Sequence, residues 1–83
     1  MVTHDTKHHM FKIENPQGDS YLEYTLDNNR FTVLHTIVPP AFSGQGLAGK
    51  LASAAYDWAS SQKYEIKSEC SYMTAWLKRE KKQ

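Results

Sequence analysis

The sequence predicts a small α+β domain, with a mixed sheet of about four strands, one long helix and a short C-terminal helix. Three observations predict it. Up to Pro39-Pro40 the chain alternates apolar and polar residues in short runs separated by turn clusters. A single stretch of helical periodicity follows. Beyond it lies one more alternating run, so that a helix links two strands. Such a link makes the two strands parallel and the crossover right-handed.

Each element has its own grounds. Residues 1–9, "MVTHDTKHH", show no periodicity and are expected to be a disordered tail, leaving residues 10–83 as one domain. If Val2 became the terminus, Val2-Thr3-His4 would hold the donor types of a square-planar Cu(II) or Ni(II) site. Chance histidines in a disordered tail are the preferred reading, and no metal is assigned. "MFKIE" sets Phe11 and Ile13 against Lys12 and Glu14, and "NPQGD" is a turn by composition. "SYLEYTL" places Leu22, Tyr24 and Leu26 on one face. After the turn "DNN", the β-branched run "RFTVLHTIV" ends at Pro39-Pro40, since proline cannot donate to a ladder. These three strands read as an antiparallel meander.

The loop "PPAFS" leads into a helix from about Gly46 to Gln62, with Leu47, Leu51, Ala54, Ala55 and Trp58 on a buried stripe. "KYEIKSEC" alternates Tyr64, Ile66, Ser68 and Cys70 against Glu65, Lys67 and Glu69 as the fourth strand. "SYMTAWLKRE" is a short helix capped by Ser71, with Tyr72, Met73, Trp76 and Leu77 inward.

Composition narrows the function classes. With 83 residues and 40% apolar content there is material for one core. A formal charge of +1 favours no nucleic acid or other polyanion, and the basic tail "KREKKQ" reads as a solvated helix end. No run of 18 apolar residues and no leader pattern is present, so no membrane is expected and the location expected is cytoplasmic. The single cysteine, Cys70, fits a reducing compartment. A monomer is expected.

"SGQGLAGKL", Ser43 to Leu51, answers to three descriptions. As a P-loop it fails at Leu51, where the hydroxyl for Mg²⁺ should be. As a dinucleotide fingerprint it has Glu69 at the right distance, but the first glycine stands too far from Val38, beyond two prolines. What the readings share is an anion site: glycines admit close approach, and free amides at a helix N-terminus attract negative charge. The helix carries no acidic residue in its first turns and has Lys50 there instead, a pattern that a ligand phosphate would complete. Tight packing of the helix on the sheet would explain the glycines as well.

Taken together, "VLHTIVPPAFSGQGLAGKLASAAYDWASSQKYEIKSECSY" resembles the GNAT acetyltransferase superfamily, in its minimal single-domain members. These share H-T-x-V at a strand end, G-x-G-L/I-A/G at a helix start and C-S-Y/F after the next strand. The resemblance implies acetyl-CoA as cofactor. Ile37 and Val38 would bind its pantetheine arm through their main chain. The amides of Gly44, Gln45, Gly46, Leu47, Ala48 and Gly49 would receive the pyrophosphate. Ser43 stands where the superfamily's loop usually begins with Arg or Gln, and Lys50 would compensate in part. Larger members place two helices between their first strands to shape the acceptor site. Here only the "NPQGD" turn occupies that place, so the acceptor side is expected to be open and shallow, or completed by a partner.

Within the resemblance, Cys70 and His35 are the catalytic candidates. Cys70 just precedes a helix N-terminus, whose partial positive charge favours a thiolate. It would accept an acetyl group covalently with His35 as base, or line the channel while an amine attacks directly. His35 shares strand parity with Phe31, Val33 and Ile37, so it also reads as a core histidine. The function expected is acetyl-CoA-dependent N-acetylation of a small-molecule or protein amine, the alternative being an acyl-CoA-binding module.

Overall fold

The computed structural model describes residues 2–16, 18–40 and 46–80. The order of elements is β1 (Thr3–Asp5), β2 (Met10–Ile13), β3 (Ser20–Asp27), β4 (Arg30–Ile37), α1 (Leu47–Ser61), β5 (Glu65–Ser68) and α2 (Ser71–Arg79). The strands form one sheet in the order of the chain, antiparallel from β1 to β4, with β5 parallel to β4. The α+β class, the meander and the parallel strand across a helix are as the sequence predicts.

The strand count is five rather than four, because the N-terminal segment is not a loose tail. Thr3–Asp5 pairs with Met10–Lys12. A tight turn joins them, with His9 in the left-handed region and its carbonyl accepting from the Tyr24 amide at 3.0 Å. What holds so short an edge strand is aromatic contact. The His4 ring stacks on Phe11 at 4.0 Å, meets Trp58 edge-on at 4.5 Å and shares a 2.7 Å hydrogen bond with the Tyr24 hydroxyl. Periodicity could not reveal this, since three residues are too few to show one.

The β3–β4 hairpin turns on Asn28 and Asn29, both at positive φ as a two-residue type I′ turn requires. That turn fixes the register from Asp27↔Arg30 to Tyr24↔Val33. Carried further, it would set His35 against Leu22, in the apolar interior. Instead the register slips between Tyr24 and Glu23, Leu34 is left over on β4, and Glu23 pairs with His35 while Leu22 pairs with Thr36. A β-bulge of this kind reverses side-chain parity. His35 and Ile37 turn outward and Thr36 turns in, so His35 is no core histidine.

All the burial lies on one face of the sheet. Leu22, Tyr24, Phe31 and Val33 meet α1 and α2 there in a single cluster. On α1 the fully buried residues are Leu51 and three alanines, Ala52, Ala55 and Ala59. Their small side chains let the helix axis lie close to the strands. Trp58 fits over Phe31 and Tyr64 at the helix's far end. Helix α2 contributes Met73, Trp76 and Leu77, and Tyr56 of α1 meets Trp76. No side chain caps α2: its N-cap is Cys70 in extended conformation, one residue before the expected Ser71. None of the described helices is long and apolar enough to cross a membrane.

Local geometry sets three expectations. Burial lowers the pKa of His4 from its ordinary 6.5, helped by His9 and opposed by Asp5. The unfolded chain therefore binds the proton more readily. Stability is greatest above pH 6.5, begins to fall as pH drops through that value, and the loss is complete below the lowered folded value. Melting temperature followed from pH 8 to pH 5 should fall more steeply in the native chain than in His4→Phe; parallel curves would contradict this. Gly46 sits at φ 75°, with nothing within 4 Å of where a Cβ would stand. Gly46→Ala should cost about 1 kcal/mol through backbone strain alone. Gly49 is ordinary helix, where an added Cβ would touch the Tyr72 hydroxyl at 3.5 Å. Gly49→Ala should be neutral or stabilising by up to about 1 kcal/mol in urea denaturation.

Candidate active site

The first turn of α1 supplies the anion-binding feature. Gly46, in the left-handed conformation, is its N-cap and has no side chain to offer the amides beyond it. The first intrahelical bond runs from the Lys50 amide to the Gly46 carbonyl at 3.1 Å. The amides of Leu47, Ala48 and Gly49 thus have no partner within the helix. No acidic residue stands in this turn, and the exposed Lys50 does. Ser43, Gly44 and Gln45 lie outside the described residues.

A groove of about 650 Å³ runs along this turn, lined by Gly46, Gly49, Lys50, Ser53, Ala54 and Asp57 on the helix and by Val2. Val2 reaches it because β1 is docked. Uncapped amides, bare glycine backbone and a lysine beside open space fit the pyrophosphate and phosphate groups of coenzyme A. They do not by themselves select that ligand.

The second feature is the parting of β4 and β5. Their pairing ends at Val33↔Ser68, and the Glu69 amide makes a last bond to the Val33 carbonyl at 2.8 Å. From Leu34 onward, no described strand lies against that edge of β4. Ile37 there is 44% exposed, the one large apolar side chain so exposed among the described residues, and Val38 is half-buried. An extended ligand could therefore add to this edge as a strand does.

Cys70 stands at the mouth of the gap. The Ser68 hydroxyl accepts from the Cys70 amide at 3.2 Å, donates to its carbonyl at 2.9 Å and accepts from the Thr74 hydroxyl at 3.0 Å. This bracket ties the end of β5 to the first turn of α2. The thiol is directed at the Thr36 hydroxyl across the gap at 3.6 Å, and the residue is only 8% exposed.

His35 is not beside it. Thr36 faces Cys70, so its neighbour His35 points to the opposite side of the sheet. There His35 Nε2 meets the Glu23 carboxylate at 2.9 Å, with both side chains well exposed, and the Tyr21 ring stands edge-on at 6.0 Å. An exposed pair of this kind contributes at most about 1 kcal/mol to stability. Its effect is orientation of the imidazole rather than support of the fold.

Glu23 is the residue that sequence reading misses. The hairpin turn, extrapolated, pairs it with Leu34, and only the bulge brings it opposite His35. A signal was present nonetheless: a histidine opposite Leu22 in an apolar interior is a conflict that a slip would relieve.

No group of three or more His, Cys, Asp or Glu among the described residues is placed to hold a metal ion. The arrangement is a meander, a strand that parts from its parallel neighbour and an uncapped helix start beside the gap. Comparison with protein families agrees with it: a model described as GCN5-related N-acetyl-transferase matches residues 10–83. The chain belongs to that N-acetyltransferase family.

Proposed function

We propose that this chain is an acetyl-CoA-dependent N-acetyltransferase that acylates an amine without passing the acetyl group through Cys70. The observation that carries the reading is the uncapped start of α1, with Lys50 in place of an acidic residue, next to the parted ends of β4 and β5. The amides of Gly46 to Gly49 and the Lys50 ammonium would hold the pyrophosphate. The main chain of Ile37 and Val38 would hold the pantetheine arm, with an amide near Val38 stabilising negative charge on the acyl oxygen. Bound acetyl-CoA supplies an acyl group already activated as a thioester. What the protein adds is position and a place for the proton that the amine must lose.

Direct transfer is favoured over the covalent scheme by where the two candidates stand. A thiol relay with His35 as its base needs the two groups within hydrogen-bond reach. The Cys70 thiol has a threonine hydroxyl instead, and His35 faces away. Cys70 then lines the gap and ties β5 to α2. The second reading, an acyl-CoA-binding module, is supported by the exposed outer face of the sheet: only residues 14–19 separate β2 from β3.

Four measurements test this. Acetyl-CoA at a hundred times its dissociation constant should stabilise the chain by about 2.7 kcal/mol, more than about 10 °C for a domain this small. Lys50→Glu should bind it about tenfold more weakly or worse, a loss of about 1.4 kcal/mol, with an unchanged melt in the absence of ligand. Intact mass after incubation should show no acetyl adduct that Cys70→Ala removes, and such an adduct would restore the covalent scheme. Turnover with a panel of amines separates enzyme from binding module.

A further inference from the structure

We propose that Glu23 is a positioning residue for acetyl transfer: it fixes the tautomer of His35, leaving Nδ1 as the proton acceptor on the uncovered face of the sheet, and the amine arrives from that face. This rests on the acetyltransferase reading above.

The chemistry follows from one contact. The Glu23 carboxylate can only accept hydrogen bonds, so with Nε2 2.9 Å away it favours the neutral His35 tautomer that carries its proton on Nε2. Nδ1 is then left with its lone pair. Tyr21, edge-on to the ring, limits its rotation. Both partners of His35 lie on β3 and face outward, as does Ile37, which pairs with Tyr21. The bulge at Leu34 places all four residues together. The same bulge lies next to the point where β5 leaves β4, so His35 stands at the rim of the gap rather than along the closed part of the sheet.

In the step itself, a bond forms between the amine nitrogen and the acetyl carbonyl carbon as the carbon–sulfur bond breaks. The amine proton passes to Nδ1 of His35. The departing thiolate takes up a proton from the imidazolium or from water, and His35 returns to the Nε2–H form. The half-buried Thr36 and the buried Cys70 close the opposite side of the gap, which leaves the outer face as the open approach. Lys12 and Glu23 are the charged groups of that face nearest Tyr21 and His35, by strand pairing.

The test has a part that needs no activity. Nitrogen-15 NMR of the native chain above the titration of His35 should show a protonated Nε2 and a bare Nδ1. A proton on Nδ1 would overturn the proposal. In Glu23→Gln the amide can donate as well as accept, so the two tautomers should mix. Kinetics supply the second part. His35→Gln should lower kcat at least a hundredfold. Glu23→Gln should lower kcat about tenfold with the KM for acetyl-CoA unchanged, and should add nothing in the His35→Gln background, because it acts through that ring. Equal kcat in Glu23→Gln, or losses that multiply in the double variant, would overturn the role of Glu23 and leave the activity standing. No turnover by the native chain with any amine would overturn the activity, and this role with it.

Discussion

The one-residue slip between β3 and β4 is the constraint on which the site depends. Up to Tyr24↔Val33 the register is dictated by the Asn28-Asn29 turn, and every inward side chain is apolar. One pair further, that register would force an imidazole into the core opposite Leu22. Burying a polar ring without a partner costs a few kcal/mol, on the order of 1–3 by mutational measures. Leaving Leu34 over on β4 avoids that cost for the loss of part of the ladder at one residue. From there on, β4 runs with opposite parity. His35 and Ile37 belong to the outer face and Thr36 to the inner one. The same place is where β5 departs, so the chain changes parity and loses a neighbour within two residues.

One-sided burial gives that parity its meaning. The described residues form two helices that cover the sheet, and both lie on the same face, in contact through Tyr56 and Trp76. The thinnest dimension, 19 Å, has room for one sheet and one helical layer. Apolar side chains are therefore needed on one face only, and the other is free to carry Lys12, Glu23 and His35. The N-terminal strand extends the covered face outward. His4 closes the aromatic group of Phe11, Tyr24 and Trp58, and in doing so brings Val2 to the groove beside Gly46.

Much of this was legible in the sequence, and the parts that were not share a cause. Alternation and helical periodicity are signals of burial averaged over several residues. They located β2 to β5 and both helices, with α1 bounded by Gly46 and Gln62 as periodicity indicated. They could not locate β1, which is three residues long and held by side chains distant in sequence. They could not resolve the bulge either, because "FTVLHTIV" alternates well enough through Phe31 and Val33 to hide a change of phase at Leu34. The Glu23–His35 pair is a consequence of that phase, so it was invisible in turn. The C-cap of α1 shows the opposite case. The Lys63 and Tyr64 amides bond back to Ser60 and Ala59 with Lys63 in the left-handed region, a Schellman closure without its usual glycine. The helix end was correctly placed although its chemistry was atypical.

The separation of His35 from Cys70 bears on how so small a domain could run acyl transfer. Read along an unbroken strand, a histidine and a cysteine on neighbouring parallel strands look like base and nucleophile. Adjacent residues of a strand face opposite ways, however, and Thr36 already occupies the side facing Cys70. The two candidates are therefore on different sides of one gap rather than partners across it. A ligand lying in the gap would be exposed to both, to a closed wall of Thr36 and Cys70 within and to an oriented imidazole without. Such a division suits attack by an outside amine. On the proposed reading, the inner wall would exclude water from the thioester and the outer rim would receive the proton. A relay through Cys70 with His35 as its base would need both on the same side, and the bulge that keeps His35 out of the core sets them apart.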